Sequence, residues 1–165
     1  MTRRLILTRH AKSAWDKPEL SDPERPLNKR GKRSAEALGD WLRQKGHVPD
    51  QVLTSSARRT QDTYKRMGFD VAPEVTENLY LVTANQILRV LSQAKGKTVL
   101  LLGHNPGIGQ FAAELLGEPP EHPRFGDYPT GATLVVDFDI DDWSHLAWRG
   151  GEVVDFVVPR DLIEA

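Results

Sequence analysis

Hydrophobic residues along the chain concentrate in three short runs, which are separated by longer stretches with a helical pattern. The runs cover residues 5–7, 51–54 and 98–102, and their apolar residues follow one another with almost no alternation. Continuous apolar runs of this length are typical of strands that are buried on both faces of a sheet. The pattern therefore predicts a central sheet whose strands are largely parallel.

The stretch between the first two runs has the pattern of an amphipathic helix from about Asn28 to Lys45. Its apolar side chains recur on one face, at Ala35, Leu38, Trp41 and Leu42. Asn28 is suited to the N-cap and Gly46 to the position that ends the helix. The two strands and this helix form a predicted βαβ unit. Further helices are predicted over residues 57–67, 84–95 and 106–116.

The last third of the chain has a different character. Strand-like segments are predicted over residues 132–138, 145–148 and 153–158, with turn signals at Asp141-Asp142 and Gly150-Gly151 between them. Some of these strands are expected to pair antiparallel at one edge of the sheet. The fold class that follows is α/β, with a mostly parallel sheet and an antiparallel edge.

Length and composition limit the number of domains and the classes of site. A chain of 165 residues with 39% hydrophobic composition can form one sizeable core, so residues 1–165 are expected to be a single domain. The absence of cysteine excludes disulfides and thiolate nucleophiles. The first apolar run is too short for a signal peptide or a membrane span, so a soluble, cytoplasmic protein without membrane contact is expected.

The net charge of −1 conceals an uneven distribution of charge. Residues 1–66 contain 16 Lys and Arg against 8 Asp and Glu, whereas residues 67–165 contain 6 against 15. This distribution favours an anionic partner for the first part, with solvated helix faces as the alternative explanation.

The tryptophans are expected to be packing residues: Trp15, Trp41, Trp143 and Trp148. No basic residues interleave with them, so nucleic-acid binding is not expected.

Each of the three predicted buried strands leads directly into a polar cluster. Arg9-His10 follows the first strand, residues 55–59 with the sequence Ser-Ser-Ala-Arg-Arg follow the second, and Gly103-His104-Asn105 follows the third. The carboxyl ends of parallel strands meet at one edge of a sheet, where open α/β folds bind their ligands. The three clusters are therefore expected to converge on one site.

Two arginines and two histidines brought together form a cationic pocket that is suited to a phosphoryl group. Arginine can bind phosphate oxygens in bidentate fashion, and a helix that begins near Pro106 would direct its free N–H groups to the same place. Neighbouring arginines disfavour the protonated form of His10, which leaves a nitrogen lone pair near pH 7. His10 is thus a candidate nucleophile. The Pro-containing stretches 18–26 and 118–129 are predicted loops over this site.

Several motifs in order resemble the histidine phosphatase, or phosphoglycerate mutase-like, superfamily. They are Arg9-His10-Ala11, Arg25-Pro26-Leu27 with Gly31, Ser55 to Thr63, and Gly103-His104-Asn105-Pro106. Their spacing is similar to that of the compact branch, the SixA-type phosphohistidine phosphatases. This resemblance implies a three-layer α/β/α sandwich. It also aligns the phosphate-binding arginine of the family with Arg59, because Ser55 stands four residues before it and Thr63 four after.

The resemblance implies a mechanism as well. His10 would attack phosphorus in line, Arg9, Arg59 and His104 would stabilise charge on the phosphoryl oxygens, and water would then hydrolyse the phosphohistidine enzyme. This chemistry requires no cofactor and no metal, and two arginines in the pocket would repel a cation. We expect no metal site at His10 and His104.

Other residues are weaker candidates. Ser13 could hydrogen-bond a phosphoryl oxygen and Asn105 could offer its backbone N–H, although turn or cap roles explain both equally well. Glu77 is a possible general acid for a leaving alkoxide, or a surface residue before a turn. Asp16 stands where related mutases have a phosphate-binding Asn. No role in the site is expected for His47, His122 and His145.

The resemblance to the compact branch implies a phosphatase that removes phosphate from a protein phosphohistidine, of the kind found in histidine-containing phosphotransfer domains of signal transduction. A small-molecule phosphomonoesterase of the same superfamily is the alternative within this chemistry. A phosphoprotein-binding module without turnover is the alternative of another class, but binding alone would not need a nucleophile at His10. The sequence leaves the physiological substrate and the oligomeric state open.

Overall fold

A computed structural model describes residues 1–163 and contains a mixed six-stranded sheet with helices on both faces. The strands are β1 (Thr2–Arg9), β2 (Gln51–Ser55), β3 (Glu74–Thr76), β4 (Thr98–Gly103), β5 (Thr133–Asp139) and β6 (Glu152–Val157). They lie in the order β3-β2-β4-β1-β5-β6. The pairs among β1 to β4 are parallel, and β5 and β6 are added antiparallel at the other edge.

Four α-helices cover the sheet. They are α1 (Lys29–Gln44), α2 (Arg58–Met67), α3 (Ala84–Leu91) and α4 (Gly107–Leu115). The longest has 16 residues, and within residues 1–163 none combines the length and hydrophobicity that a bilayer crossing needs.

The buried residues of the central strands alternate between two hydrophobic clusters on opposite faces of the sheet. Leu5 and Leu7 of β1 pack with α3 and α4, whereas Ile6 packs with α1 and α2. Both faces are covered, which explains why β1, β2 and β4 appear in the sequence as continuous apolar runs. The predicted α/β sandwich with an antiparallel edge is confirmed.

The predicted elements agree with the structure except at their ends and at one strand. The Asn28 side chain accepts a hydrogen bond from Gly31 N at 2.8 Å, as expected of an N-cap. The strand predicted over residues 145–148 is wrong, because Trp143–His145 forms a 3₁₀ turn. The Asp142 side chain accepts a hydrogen bond from Ser144 N at 2.9 Å, which favours this turn over an extended chain.

Trp15 differs from the other three tryptophans, which are packing residues as expected. Its side chain is 62% exposed, whereas Trp143 is 1% exposed. The guanidinium carbon of Arg25 lies 3.9 Å from the Trp15 ring centroid, so a cation–π contact holds this ring at the surface. Trp41 and Trp148 are partly buried against the two clusters.

Helices α1 and α2 approach each other closely at Gly39. A Cβ atom at this position would lie 2.1 Å from the carbonyl oxygen of Met67, far inside van der Waals contact. The obstacle is backbone, so a side chain at residue 39 would have to separate the two helices. This packing matters for the site because α2 carries Arg59 in its first turn.

Gly39→Ala is expected to lower the free energy of unfolding by about 1–3 kcal/mol, the usual cost of overpacking a well-packed interface. Urea denaturation measures the change. Lys32→Ala on the exposed face of α1 is the matched control and should change the free energy by less than about 0.5 kcal/mol. Equal unfolding free energies for Gly39→Ala and the wild-type protein would contradict the close helix contact.

Candidate active site

The carboxyl ends of β1, β2 and β4 meet at one edge of the sheet and open into a cleft of about 570 Å³. His10 follows β1 directly, Arg59 lies in the first turn of α2 after β2, and His104 follows β4. All three line this cleft together with Arg9 at the end of β1. The structure thus brings together the four residues that the three sequence clusters predicted.

The ring of His10 is held in one tautomer by its own neighbour. Nδ1 lies 2.7 Å from the carbonyl oxygen of Ala11. A carbonyl oxygen only accepts hydrogen bonds, so Nδ1 carries the proton and donates it. In the neutral ring the lone pair is then on Nε2. This nitrogen is the one available to an electrophile in the cleft.

The surroundings of His10 and His104 favour neutral rings. The pKa of His10 is lowered to about 4, mainly by burial. The Ala11 hydrogen bond opposes this shift, and the charges of Arg59 and Arg9 add to it. Burial also dominates at His104, with contributions from His10 and Arg59, and its pKa falls to about 3. The ring centroids lie 5.3 Å apart, so protonation of one ring disfavours protonation of the other.

Arg9 presents a guanidinium with unused hydrogen-bonding capacity. Nη1 donates to the carbonyl oxygen of Tyr128 at 3.2 Å. Nε is buried and has no hydrogen-bond partner among residues 1–163. Burial and the charge of Arg59 lower the pKa of Arg9, yet arginine stays charged at neutral pH. A cation with an unsatisfied buried donor is suited to an oxoanion.

Arg59 is 4% exposed and is oriented by the loop before α1. Nη1 donates to the carbonyl oxygen of Asp22 at 2.8 Å, and Nη2 donates to Asp22 Oδ2 at 3.0 Å. The Tyr80 hydroxyl donates to the same carboxylate oxygen. Burial alone would raise the pKa of Asp22, but the hydrogen bonds from Tyr80 and Arg59 lower it, so Asp22 is ionised at neutral pH.

His104 is positioned from both ring nitrogens. Arg59 Nη2 donates to Nδ1 at 3.3 Å, and Nε2 lies 2.7 Å from Ser55 Oγ. Because Nδ1 accepts here, Nε2 carries the proton of the neutral ring and donates it to Ser55. Ser55 Oγ also accepts from Ala57 N at 3.1 Å. The last residue of β2 therefore fixes the His104 ring and the start of α2 together.

Thr63 connects α2 to the segment that follows His10. Its Oγ1 accepts from Ala11 N at 3.0 Å and donates to the Arg59 carbonyl oxygen at 2.7 Å. Residues four apart share a helix face, so Thr63 reaches the segment after β1 from the same side of α2 as Arg59. The spacing of Ser55, Arg59 and Thr63 thus has a structural cause. The hydroxyls of Ser55 and Thr63 hold in place the elements on either side of the Arg59 guanidinium.

The two weaker binding candidates, Ser13 and Asn105, also line the cleft. Ser13 Oγ accepts from Trp15 Nε1 at 3.0 Å, which leaves its hydroxyl proton available to an anion. The Asn105 side chain is fully used: Nδ2 donates to the carbonyl oxygens of Asp127 and Tyr128, and Oδ1 accepts from Gly109 N. The Asn105 side chain therefore fixes the 118–129 loop, and only its backbone N–H remains for a ligand.

The structure does not bring Glu77 to the cleft. Glu77 is exposed and lines a separate cavity between β3 and α3. It opens the 3₁₀ turn Glu77–Leu79, which directs the following Tyr80 inward instead.

Asp16 is exposed and is not among the residues that line the cleft. Arg58 is exposed beside Asp62 at 3.4 Å, as expected of the neighbour of Arg59.

Asp22 and Tyr80 are not among the site residues predicted from the sequence. They contact each other, and Asp22 also contacts Arg59. The only available signals were general ones: residues 18–26 were predicted to form a loop over the site, and Tyr80 ends the segment that contains Glu77. Their contacts join positions 58 residues apart.

His47, outside the cleft, hydrogen-bonds Arg4 at 3.1 Å and Asp155 at 2.8 Å, and His122 hydrogen-bonds Asp161 at 2.9 Å.

Comparison with known proteins shows the class of protein to which this chain belongs. The sequence model of the histidine phosphatase superfamily (branch 1) matches residues 5–80. A Mycobacterium tuberculosis protein of unassigned function is 34% identical over 160 residues, which cover 92% of this chain and 99% of that protein. The chain belongs to the histidine phosphatase superfamily, and its similarities support a phosphatase.

Within this class the chain is similar to the SixA proteins. Phosphohistidine phosphatase SixA of Escherichia coli is 28% identical over 154 residues, with 88% of this chain and 91% of that protein covered. A solved structure assigned to SixA from Nakamurella multipartitia superposes with a TM-score of 0.82 at 29% identity and covers 96% of this chain and 97% of its own. The phosphoglycerate mutase-like fold that the motifs implied is confirmed.

The lowered pKa values predict that both cleft histidines stay neutral from pH 7 to pH 5 in the unligated protein. Because each pKa lies below its ordinary value, protons bind only as the pH falls towards 4. Ring ¹H–¹³C NMR signals measure this, with assignments from His10→Gln and His104→Gln. The ¹³C shifts of His10 should show the Nδ1–H tautomer. A midpoint at or above pH 6.5 for either ring would contradict the geometry.

Ser55→Ala is expected to lower kcat/KM on p-nitrophenyl phosphate by roughly 5- to 150-fold. It leaves a buried donor of His104 without a partner, which costs about 1–3 kcal/mol. Ser56→Ala is the matched control, because this neighbouring side chain makes no hydrogen bond within residues 1–163. If both variants keep wild-type rates, Ser55 does not position His104.

Proposed function

We propose that this protein is a phosphohistidine phosphatase that works through a phosphoenzyme on His10 Nε2. The observation that carries the proposal is the 2.7 Å hydrogen bond from His10 Nδ1 to the Ala11 carbonyl oxygen. It leaves the nucleophilic lone pair on Nε2, and the ring is neutral at physiological pH because its pKa is about 4. Arg9, Arg59 and His104 surround the place where phosphorus would lie.

In the first step, the Nε2 lone pair forms a bond to phosphorus and the bond to the leaving nitrogen breaks. The His10 ring becomes positively charged, and the Ala11 carbonyl stabilises that charge through the Nδ1–H bond. When the other ring nitrogen of the substrate phosphohistidine is protonated, the ring leaves as a neutral imidazole. In the second step, water oxygen bonds to phosphorus, the Nε2–phosphorus bond breaks, and the electron pair returns to Nε2. The phosphate product and solvent take up the water protons.

Arg9 and Arg59 would bind the equatorial oxygens, where charge is greatest in phosphoryl transfer. The phosphoryl group replaces Asp22 as a partner of Arg59 or shares the guanidinium with it. A bound dianion also opposes the effects that lower the pKa of His104. It therefore favours a protonated ring whose Nδ1 donates to the phosphoryl group and no longer accepts from Arg59. Ser13 and the backbone N–H of Asn105 supply further donors in this proposal.

The absence of a suitable acid in the cleft favours a leaving group that departs without one. Within residues 1–163 no carboxyl group lines the cleft, and the nearby Asp22 is ionised because its pKa is lowered. An ester oxygen leaves as an alkoxide and needs a proton, whereas an imidazole does not. The SixA relatives, which are named for phosphohistidine, support the same substrate. A protein substrate in cytoplasmic signal transduction fits this proposal.

Trapping the intermediate tests the enzyme. The protein is mixed with a ³²P-phosphohistidine protein for milliseconds and quenched in alkali or denaturant. We expect transient label on the enzyme that is lost in acid, and none in His10→Ala. His145→Ala is the control, since His145 is exposed and outside the cleft. Failure to find a phosphoenzyme with any phosphorylated donor would contradict the proposed mechanism, and absence of phosphate release as well would favour a binding module.

Substrate preference is tested by kcat/KM on a phosphohistidine protein and on a panel of phosphate esters. We expect the phosphohistidine protein to be preferred and Glu77→Gln to change no rate by more than about twofold, because Glu77 lines another cavity. Faster hydrolysis of esters that Glu77→Gln abolishes would instead establish a phosphomonoesterase with Glu77 as its acid.

A further inference from the structure

The cleft contains more positive charge than one phosphoryl group requires. Besides Arg9 and Arg59, its lining includes four basic residues, namely Lys12, Arg30, Arg124 and Arg160, and no carboxylate from the described part of the chain. Arg124 is neutralised by Asp127, whose Oδ2 lies 3.2 Å from its Nε. The other three have no hydrogen-bond or ion-pair partner for their charged groups within residues 1–163. Among residues 1–163, nothing therefore compensates the charge of these three cations at the cleft.

The three cations come from separate elements, and specific contacts bring two of these elements together. Lys12 follows β1, Arg30 lies in the first turn of α1, and Arg160 follows β6. The Lys12 carbonyl oxygen accepts from Asn28 N at 3.0 Å, and a Cβ at Gly31 would lie 2.1 Å from the same oxygen. The start of α1 thus packs directly on the segment after His10. This approach places Arg30 near Lys12.

A buried hydroxyl lies beside these cations. Ser34 is 3% exposed and lines the cleft, and its side chain has no partner among the hydrogen bonds of residues 1–163. It follows Arg30 by one helical turn, so both project from the same face of α1. Asp161, the carboxylate next to Arg160 in sequence, is engaged by Val158 N at 3.0 Å and His122 at 2.9 Å. Three cations beside a hydroxyl that can donate its proton form an environment that is suited to an oxoanion.

We propose that Lys12, Arg30, Ser34 and Arg160 form a second anion-binding site beside the phosphoryl site, and that the substrate carries a second phosphate or carboxylate group that binds there. This inference rests on the proposed phosphatase function and specifies its substrate class. The volume of about 570 Å³ lies within the 300–1,000 Å³ that ligand-sized pockets usually have. The second anion belongs either to a small bisphosphorylated molecule or to an acidic side chain next to the phosphohistidine of a protein.

Binding of two non-hydrolysable probes tests the site without turnover. Calorimetry compares methylphosphonate with methylenediphosphonate, which has a second phosphonate group. We expect methylenediphosphonate to bind at least about tenfold more tightly. Arg30→Gln and Arg160→Gln should each reduce this preference to about threefold or less and leave methylphosphonate binding within twofold. Ser34→Ala should reduce the preference to a smaller extent.

The control is Arg33→Gln, which removes the same charge from an exposed position of α1 outside the cleft lining. It should keep the full preference. Equal binding of the two probes, or an equal loss of preference in Arg33→Gln and Arg30→Gln, would overturn the second site and leave only a general positive field. Neither outcome depends on phosphohistidine hydrolysis, so failure of the proposed function is recognised separately by the trapping experiment.

Two kinetic comparisons distinguish the sources of the second anion. If it is an acidic side chain, Arg30→Gln should raise KM for a phosphohistidine peptide with acidic flanks and leave KM unchanged for one with neutral flanks. If it is a second phosphate, Arg30→Gln should lower kcat/KM for a bisphosphate ester more than for its monophosphate counterpart. Absence of both effects would overturn the assignment of the second anion to the substrate.

Discussion

The chemistry of the cleft depends on one hydrogen bond, which His10 Nδ1 donates to the carbonyl oxygen of Ala11. A buried imidazole beside two guanidinium groups can be neutral in either tautomer, and only one of them has its lone pair on Nε2. The carbonyl selects that tautomer because it cannot donate a hydrogen bond. It would also stabilise the positive ring that forms when Nε2 is phosphorylated. The other contacts in the site keep this ring and its cationic neighbours in position.

These supporting contacts come mainly from residues that would not touch the phosphoryl group. Ser55 holds His104, Thr63 ties α2 to Ala11, and Asp22 orients Arg59. Burial above all, and then the charge of Arg59, lower the pKa of Arg9, so the two guanidinium groups repel each other. The backbone carbonyl oxygens of Tyr128 and Asp22 offset part of that repulsion without placing a carboxylate in the cleft lining. A dianionic ligand can offset the remainder, which links the stability of the site to its ligand.

The strands and their polar ends could be predicted because a parallel sheet imposes a simple rule: buried strands are apolar throughout, and their carboxyl ends converge. The four residues His10, Arg9, Arg59 and His104 follow from that rule and from the resemblance of the motifs to the superfamily. Loop conformations have no such rule. Glu77 is the candidate that the sequence offers in this segment, whereas the 3₁₀ turn Glu77–Leu79 leaves Glu77 exposed and directs Tyr80 towards Asp22. The position of Trp15 depends on a loop in the same way, since the cation–π contact with Arg25 holds it at the surface.

The central claim is that His10 Nε2 carries the phosphoryl group during turnover. Heteronuclear ³¹P, ¹H and ¹⁵N NMR of the trapped phosphoenzyme, with ¹⁵N-labelled histidine, identifies the phosphorylated nitrogen directly. We expect one phosphorylated ring, that of His10, with phosphorus bonded to Nε2 and a proton on Nδ1. Phosphorus on Nδ1 of His10, or on any other residue, would contradict it.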